Sequence, residues 1–234
     1  MSPPNDPPLV IDIAGRPVTI QVRRSARAKR LSLRLDPAGA AVLVLPVGAP
    51  VREAERFARL QHDWLAARLV AAPPTLALVP GAVVPLLGVP HLIRHDPAAP
   101  RKVRAEAGDI RLGGPLDQVP RRVGAFLRAE AALLLAHRAR TLAAQVGRPV
   151  GRVTVRDTKS RWGSCSAAGA LSFSWRLVLA PDWVLTYVAA HEVAHLVEMN
   201  HGPAFWAVVE RLNGDHRPAR DWLKRHGPAL HRIG

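Results

Sequence analysis

Residues 187–206 read YVAAHEVAHLVEMNHGPAFW, and the fold of the C-terminal half follows from how this stretch is placed. Within it HEVAH, residues 191–195, sets two histidines four positions apart. On a helix such residues differ by about 40° and stand one turn apart, so both imidazoles leave the same face and reach one ion. The surrounding residues are apolar, YVAA before the motif and LV after it. Burying His191, His195 and Glu192 there without partners would cost roughly several kcal/mol. A metal removes that cost. Zinc accepts neutral imidazole nitrogens, and catalytic sites commonly give it three protein ligands and leave a fourth position open. Glu192 stands beside the first ligand, where its carboxylate takes a proton from water and later gives it to a leaving group. The chemistry these residues point to is metal-assisted hydrolysis, with one Zn2+ per chain.

A third ligand has to come from beyond the helix. On a continuing helix His201 would point about 120° away from His195 and lie roughly 9 Å further along. A break is therefore required, and the sequence predicts one: Asn200 suits a left-handed cap, and Gly202-Pro203 suits the opening of a new helix. Glu210, Asp215 and Asp221 are competing ligands on the downstream helices.

Upstream, a helix is expected over about 120–146, ended by Gly147 before Pro149, followed by strands VTVRD and ALSFSWRLV around the loop TKSRWGSCSAAG. Helices are expected over about 182–198, 203–212 and 219–225. The N-terminal segments VIDI, VTIQV, LSLRL and AVLVL alternate as strands of a small antiparallel sheet. A helix over 51–72, stopped by Pro73-Pro74, comes next, then further strands as far as Gly113-Gly114. The fold class is α+β, with a β-rich N-terminal domain over 1–115 and a catalytic domain over 116–234. No internal repeat is visible.

Composition sets bounds. The 234 residues are 48% hydrophobic, enough for a packed core, and the formal charge is +15. That charge suits an anionic partner such as nucleic acid or nucleotide, or else follows from an Arg-rich codon bias. The single cysteine, Cys165, excludes a disulfide within the chain and a multi-cysteine zinc cluster. No apolar run approaches the roughly 20 residues of a spanning helix, and residues 1–10 lack the pattern of a secretory signal. No membrane partner and a cytoplasmic location are expected.

The residues TKSRWGSCS (158–166), Arg176-Leu177, Pro181, Tyr187, HEVAH and NHGPAFW (200–206) together resemble the YgjP-like metallopeptidases, relatives of the SprT and WLM groups. The resemblance extends more weakly over the N-terminal strands, the Trp64 helix and LLG at 86–88. It implies a minimal zincin-like domain behind a β-rich one, with His201 as third ligand. Two departures stand out: Glu198 replaces the glycine of the metzincin spacing, and Gly202 replaces a common serine. Zincin architecture places the loop before a strand that lies over the catalytic helix and aligns an extended peptide. Lys159, Arg161 or Arg176 then stabilises an oxyanion or holds a phosphate, or else packs and pairs. Trp162 and Ser164 lie in the same loop. Tyr187 is a donor to the transition state or a core residue, and Asn200 supports a metal ligand from behind or caps a helix. The expected substrate is a peptide or protein. The alternatives are a nucleoside triphosphate, split as by UTP pyrophosphohydrolases of this family, and nucleic acid bound around a structural zinc.

Overall fold

The computed structural model describes residues 6–13, 15–36, 39–71 and 75–234. The expected turn at Pro37-Ala38 and helix stop at Pro73-Pro74 lie outside the described residues. The chain divides into two compact units, Met1–Pro74 and Thr75–Gly234. The division expected near Pro115 is therefore displaced. The strands before Pro115 bury Val84, Ile93, Ile110 and Leu112 in the same core as the helices after it, which ties them to the second unit.

The first unit contains β1 (Leu9–Ile13), β2 (Arg16–Ser25), β3 (Ser32–Leu35) and β4 (Ala41–Pro46), in the order β1-β2-β4-β3. The expected strands are present, but the sheet is mixed, because β2 and β4 run parallel. Strand β4 is buried or half-buried at every position and takes the centre, whereas β3 alternates with solvent and suits an edge. The single helix expected after them is two, α1 (Val51–Leu60) and α2 (His62–Ala71). They meet at Gln61, whose N–H is shared between the Phe57 and Ala58 carbonyls. Ala54, Ala58 and Leu65 close this unit's core against Ile20, Leu43 and Leu45.

The second unit begins with β5 (Val83–Leu86), β6 (Val89–His95), β7 (Arg104–Glu106) and β8 (Asp109–Leu112), in the order β5-β6-β8-β7 with β6 and β8 parallel. The strand order repeats that of the first sheet. The repeat lies in topology and not in residues, which is why the sequence does not display it. The β5–β6 hairpin turns at Leu87 (φ 51°) and Gly88 (φ 79°), the two-residue geometry with both central residues left-handed. A Cβ on Gly88 would stand 2.9 Å from Pro181 Cα, and the Leu87 N–H donates to the Val178 carbonyl at 2.7 Å. The hairpin tip thus fits against the chain just before the HEVAH helix and fixes where that helix starts.

Helix α3 (Val119–Gln145) buries Val123, Leu127, Ala131, Leu135, Ala139 and Leu142 along one stripe, and Gly147 (φ 63°) follows its end. A three-stranded sheet comes next, ordered β10-β11-β9 from β9 (Val153–Arg156), β10 (Gly163–Cys165) and β11 (Leu171–Ser174). Strand β10 falls where a loop was expected. Gly-Ser-Cys carries no strand propensity of its own, and its pairing with Leu171, Ser172 and Phe173 supplies what the residues lack. Helices α4 (Asp182–Ala194), α5 (Pro203–Asn213) and α6 (Arg217–Leu230) complete the unit. Helix α4 stops earlier than expected, and α6 extends further at both ends. Among the described residues no helix is long and apolar enough to cross a membrane.

Candidate metal centre

Helix α4 buries Val184, Leu185, Val188, Ala189, Val193 and Ala194, and this holds the HEVAH face at a fixed height against α3 and α5. The helix gives way at His195, where Leu196 and Val197 turn back onto the carbonyls of Val193 and Ala194. Asn200 does not make the break by a left-handed cap: among the described residues the only non-glycine positive φ angles are at Leu87 and Ala107. The turn starts five residues sooner, and the Asn200 carbonyl accepts from the Gly202 N–H at 2.7 Å just before Pro203 opens α5.

That path brings His201 back to the helix. Ligand nitrogens of His191, His195 and His201 all lie within 4.8 Å of one another, and the Nε2 atoms of His191 and His201 are 3.1 Å apart. Two nitrogens bound to one tetrahedral zinc at about 2.0–2.1 Å would be separated by about 3.3 Å, so the cluster has the dimensions of a shared ion. Burial and the neighbouring imidazoles push His191 down to about 4, and burial lowers His195, so both are neutral and ligand-competent near pH 7. His195 Nδ1 is 3.2 Å from the Glu198 carbonyl, which leaves its Nε2 facing the cluster. Glu198, the departure from the metzincin spacing, thus orients the His195 ring through its backbone carbonyl. No carboxylate joins the group: among the described residues Glu210, Asp215 and Asp221 are not in it. Phe205, fully buried, supports all three imidazoles, with ring centroids at 4.9, 4.6 and 4.6 Å.

Glu192 is 5% exposed, and burial raises its carboxyl to about 7 against the opposing field of Arg161. Its side chain lies under β10. A Cβ on Gly163 would meet Glu192 Cγ at 2.6 Å and Cδ at 2.7 Å, so only glycine leaves the carboxylate where it is. Beside the histidines opens a cavity of about 330 Å³ whose walls include Trp162, Gly163, Tyr187, Val188 and Leu223, with Arg161 and Arg220 also contributing. Tyr187 packs edge-on against His191 at 6.0 Å, and burial holds its phenol above the ordinary tyrosine range. Trp162 stacks on His231 at 4.7 Å, and its carbonyl accepts from Ser174 at 2.8 Å.

The remaining sequence-selected residues lie elsewhere. Arg176 is buried beneath the fold: it pairs with Asp157, donates to the Leu230 carbonyl at 3.1 Å and the Ile233 carbonyl at 3.4 Å, and stacks on Trp175. Its task is to tie α6 to the sheet. Ser164 is half-buried in β10, paired with Ser172, and Lys159 is exposed; neither lines the cavity. Asn200 is exposed. Sequence reasoning passed over Phe205 and Arg220 and placed Gly163 in the loop without a task of its own. The signals were faint: an aromatic inside NHGPAFW, a glycine inside SRWGSC, and one arginine among many.

Three converging imidazoles, a buried carboxylate and an adjoining cavity define a metallohydrolase type of centre. The chain belongs to the YgjP-like metallopeptidase family: the family model described as "YgjP-like, metallopeptidase domain" matches residues 29–226. Among solved structures, the metallopeptidase zymogen abylysin of Pyrococcus abyssi is 26% identical and aligns over 44% of this chain and 97% of its own, with a TM-score of 0.35. Comparison with curated proteins gave no match.

Proposed function

We propose that the protein is a zinc-dependent metallopeptidase of the HExxH type, with His191, His195 and His201 as ligands and Glu192 as general base. The observation that carries this reading is the approach of three imidazole nitrogens to within 4.8 Å beside one buried carboxylate. A divalent ion held there supplies a Lewis acid that polarises the scissile carbonyl and makes water acidic near neutral pH. The chain's own residues do the rest. Glu192 takes a proton as the water oxygen attacks the carbonyl carbon, then returns it to the amide nitrogen as the C–N bond breaks. Its carboxyl at about 7 matches that dual use. Tyr187 and Arg161 border the cavity, where they donate to the developing oxyanion. Strand β10 is an edge of its sheet and carries Gly163 above Glu192, so its free side offers backbone groups to an extended peptide.

A triphosphate would require several cations near the metal; Arg176 is committed to Asp157 and Lys159 lies outside the cavity, which leaves Arg161 and Arg220 on its wall among the described residues. Family membership supports peptide and protein substrates, and no observation favours the nucleotide or nucleic-acid readings. The test is hydrolysis by zinc-loaded protein of unfolded casein beside the nucleoside triphosphates, with Glu192→Gln as control. Casein cleavage lost in the variant is the expected result. Triphosphate cleavage lost in the variant, with casein intact, would replace the peptidase reading.

A further inference from the structure

The cavity beside the histidines has an uneven lining. Its inner wall is apolar, from Val188, Leu223 and the rings of Tyr187 and Trp162, while two guanidiniums, Arg161 and Arg220, stand at its exposed margin. Among the described residues the one acid on its surface is Glu192, already assigned to the water. Five other arginines of this unit are held in ion pairs: Arg176 with Asp157, Arg138 with Asp182, Arg217 with Asp215, and both Arg94 and Arg111 with Asp109. Among the described residues Arg220 is in no ion pair, and Arg161 acts on Glu192 through its field without pairing with it directly. Arg220 is nevertheless held in place. Its guanidinium lies 5.2 Å from the Trp206 ring centroid, and Trp206 in turn stacks on His216 at 4.3 Å and an interplanar angle of 22°. An arginine pinned on an aromatic face, without an anion, keeps its bidentate donors available and loses little freedom when one arrives.

We propose that this cavity is a subsite for an acidic residue of the substrate, with Tyr187, Val188 and Leu223 packing on its methylenes and Arg220 binding its carboxylate. The inference rests on the peptidase reading and gives it a substrate class: peptides carrying Asp or Glu beside the bond that is cut. At about 330 Å³ the cavity is at the small end of ligand sites, suited to one side chain and the adjoining backbone.

The test has two readouts. Zinc-loaded protein is incubated with a degenerate peptide library, and the cut sites are read by mass spectrometry. Asp and Glu should be enriched at one position flanking the cut, with about a tenfold advantage in kcat/KM for a Glu peptide over its Gln twin. Arg220→Glu should move the enrichment at that position to Lys and Arg, while Arg220→Lys keeps it acidic. Metal content and unfolding midpoint are checked for both variants, since a structural role for Arg220 would move those and leave the sign of the preference alone. In parallel, Glu and Gln peptides are titrated against metal-free protein by tryptophan fluorescence. The Glu peptide should bind about tenfold tighter, and the advantage should vanish in Arg220→Glu and shrink with salt. Equal cutting of Glu and Gln peptides, or a preference untouched by charge reversal, overturns the proposal. If no peptide is cut, the peptidase reading fails by itself, and equal binding of the two peptides then also ends the inference.

Discussion

Replacing Glu192 by Gln should abolish hydrolysis and, in the metal-free protein, raise stability in a way that depends on pH. Burial lifts the Glu192 carboxyl from an ordinary 4.5 to about 7, so the fold favours the protonated acid. A carboxyl raised on folding contributes fully below its unfolded value and loses that contribution as pH climbs through the folded one. The window is therefore 4.5 to 7. At about 1.36 kcal/mol per pH unit, wild type gives up about 3 kcal/mol between pH 4.5 and pH 8 that a neutral amide keeps. With the side chain 5% exposed, solvent screening reduces this little. The amide's own packing adds an offset that does not vary with pH. His191, pushed down to about 4, destabilises the fold as pH falls from 6.5, but equally in both proteins, so it cancels in the difference. Urea unfolding of chelator-treated proteins, followed by tryptophan fluorescence, measures it. Five of the six tryptophans, all but Trp64, lie in the second unit, so the signal reports the unit that holds the site. The Glu192→Gln variant should gain on wild type by about 3 kcal/mol from pH 4.5 to pH 8. A difference that stays flat across that range would show that Glu192 is not buried as described.

Three further outcomes follow from the same geometry. Gly163→Ala should displace the Glu192 carboxylate, lowering kcat by about 100-fold while equilibrium dialysis still finds one zinc bound; unchanged kcat would mean that the strand yields to the methyl. Phe205→Ala should cost about 3–5 kcal/mol by unfolding and weaken zinc binding too, because the ring supports all three imidazoles; an effect on stability alone would deny it that second task. His201→Ala should weaken zinc binding at least tenfold and Glu210→Ala should not, as read by competition with a chromogenic chelator; the reverse ranking would reassign the third ligand.

The sequence carried the centre further than it carried the frame. The four-residue spacing in HEVAH puts both histidines and the glutamate on one helix, and that placement is local. The need for a break before His201 was legible as well, although the turn begins at His195 and not at Asn200, because helix termination depends on the carbonyls that the turn can satisfy. The role of Arg176 was not legible. Nothing local tells an arginine that faces substrate from one buried beneath a C-terminal helix, since the two carbonyls that hold it there lie more than 50 positions away. The parallel pairing in both four-stranded sheets was missed because it joins strands that are not consecutive in the chain, and β10 was missed because its partner β11, not its own residues, makes it a strand. The expected boundary near Pro115 followed a real turn, but Gly-Gly-Pro marks a change of direction and not a change of core.

Leu76 and Ile233 form a parallel bridge, with N–H donation from Leu76 to the Arg232 carbonyl at 2.9 Å and from Gly234 to the Leu76 carbonyl at 3.0 Å. The first and last residues of the second unit are therefore neighbours, and as a path through space the unit is nearly a ring. A ring has no privileged place to be cut. Joining Gly234 to Thr75 by a short linker and opening the chain at the exposed Ala107-Gly108 turn would leave the order of every buried contact around the histidines unchanged.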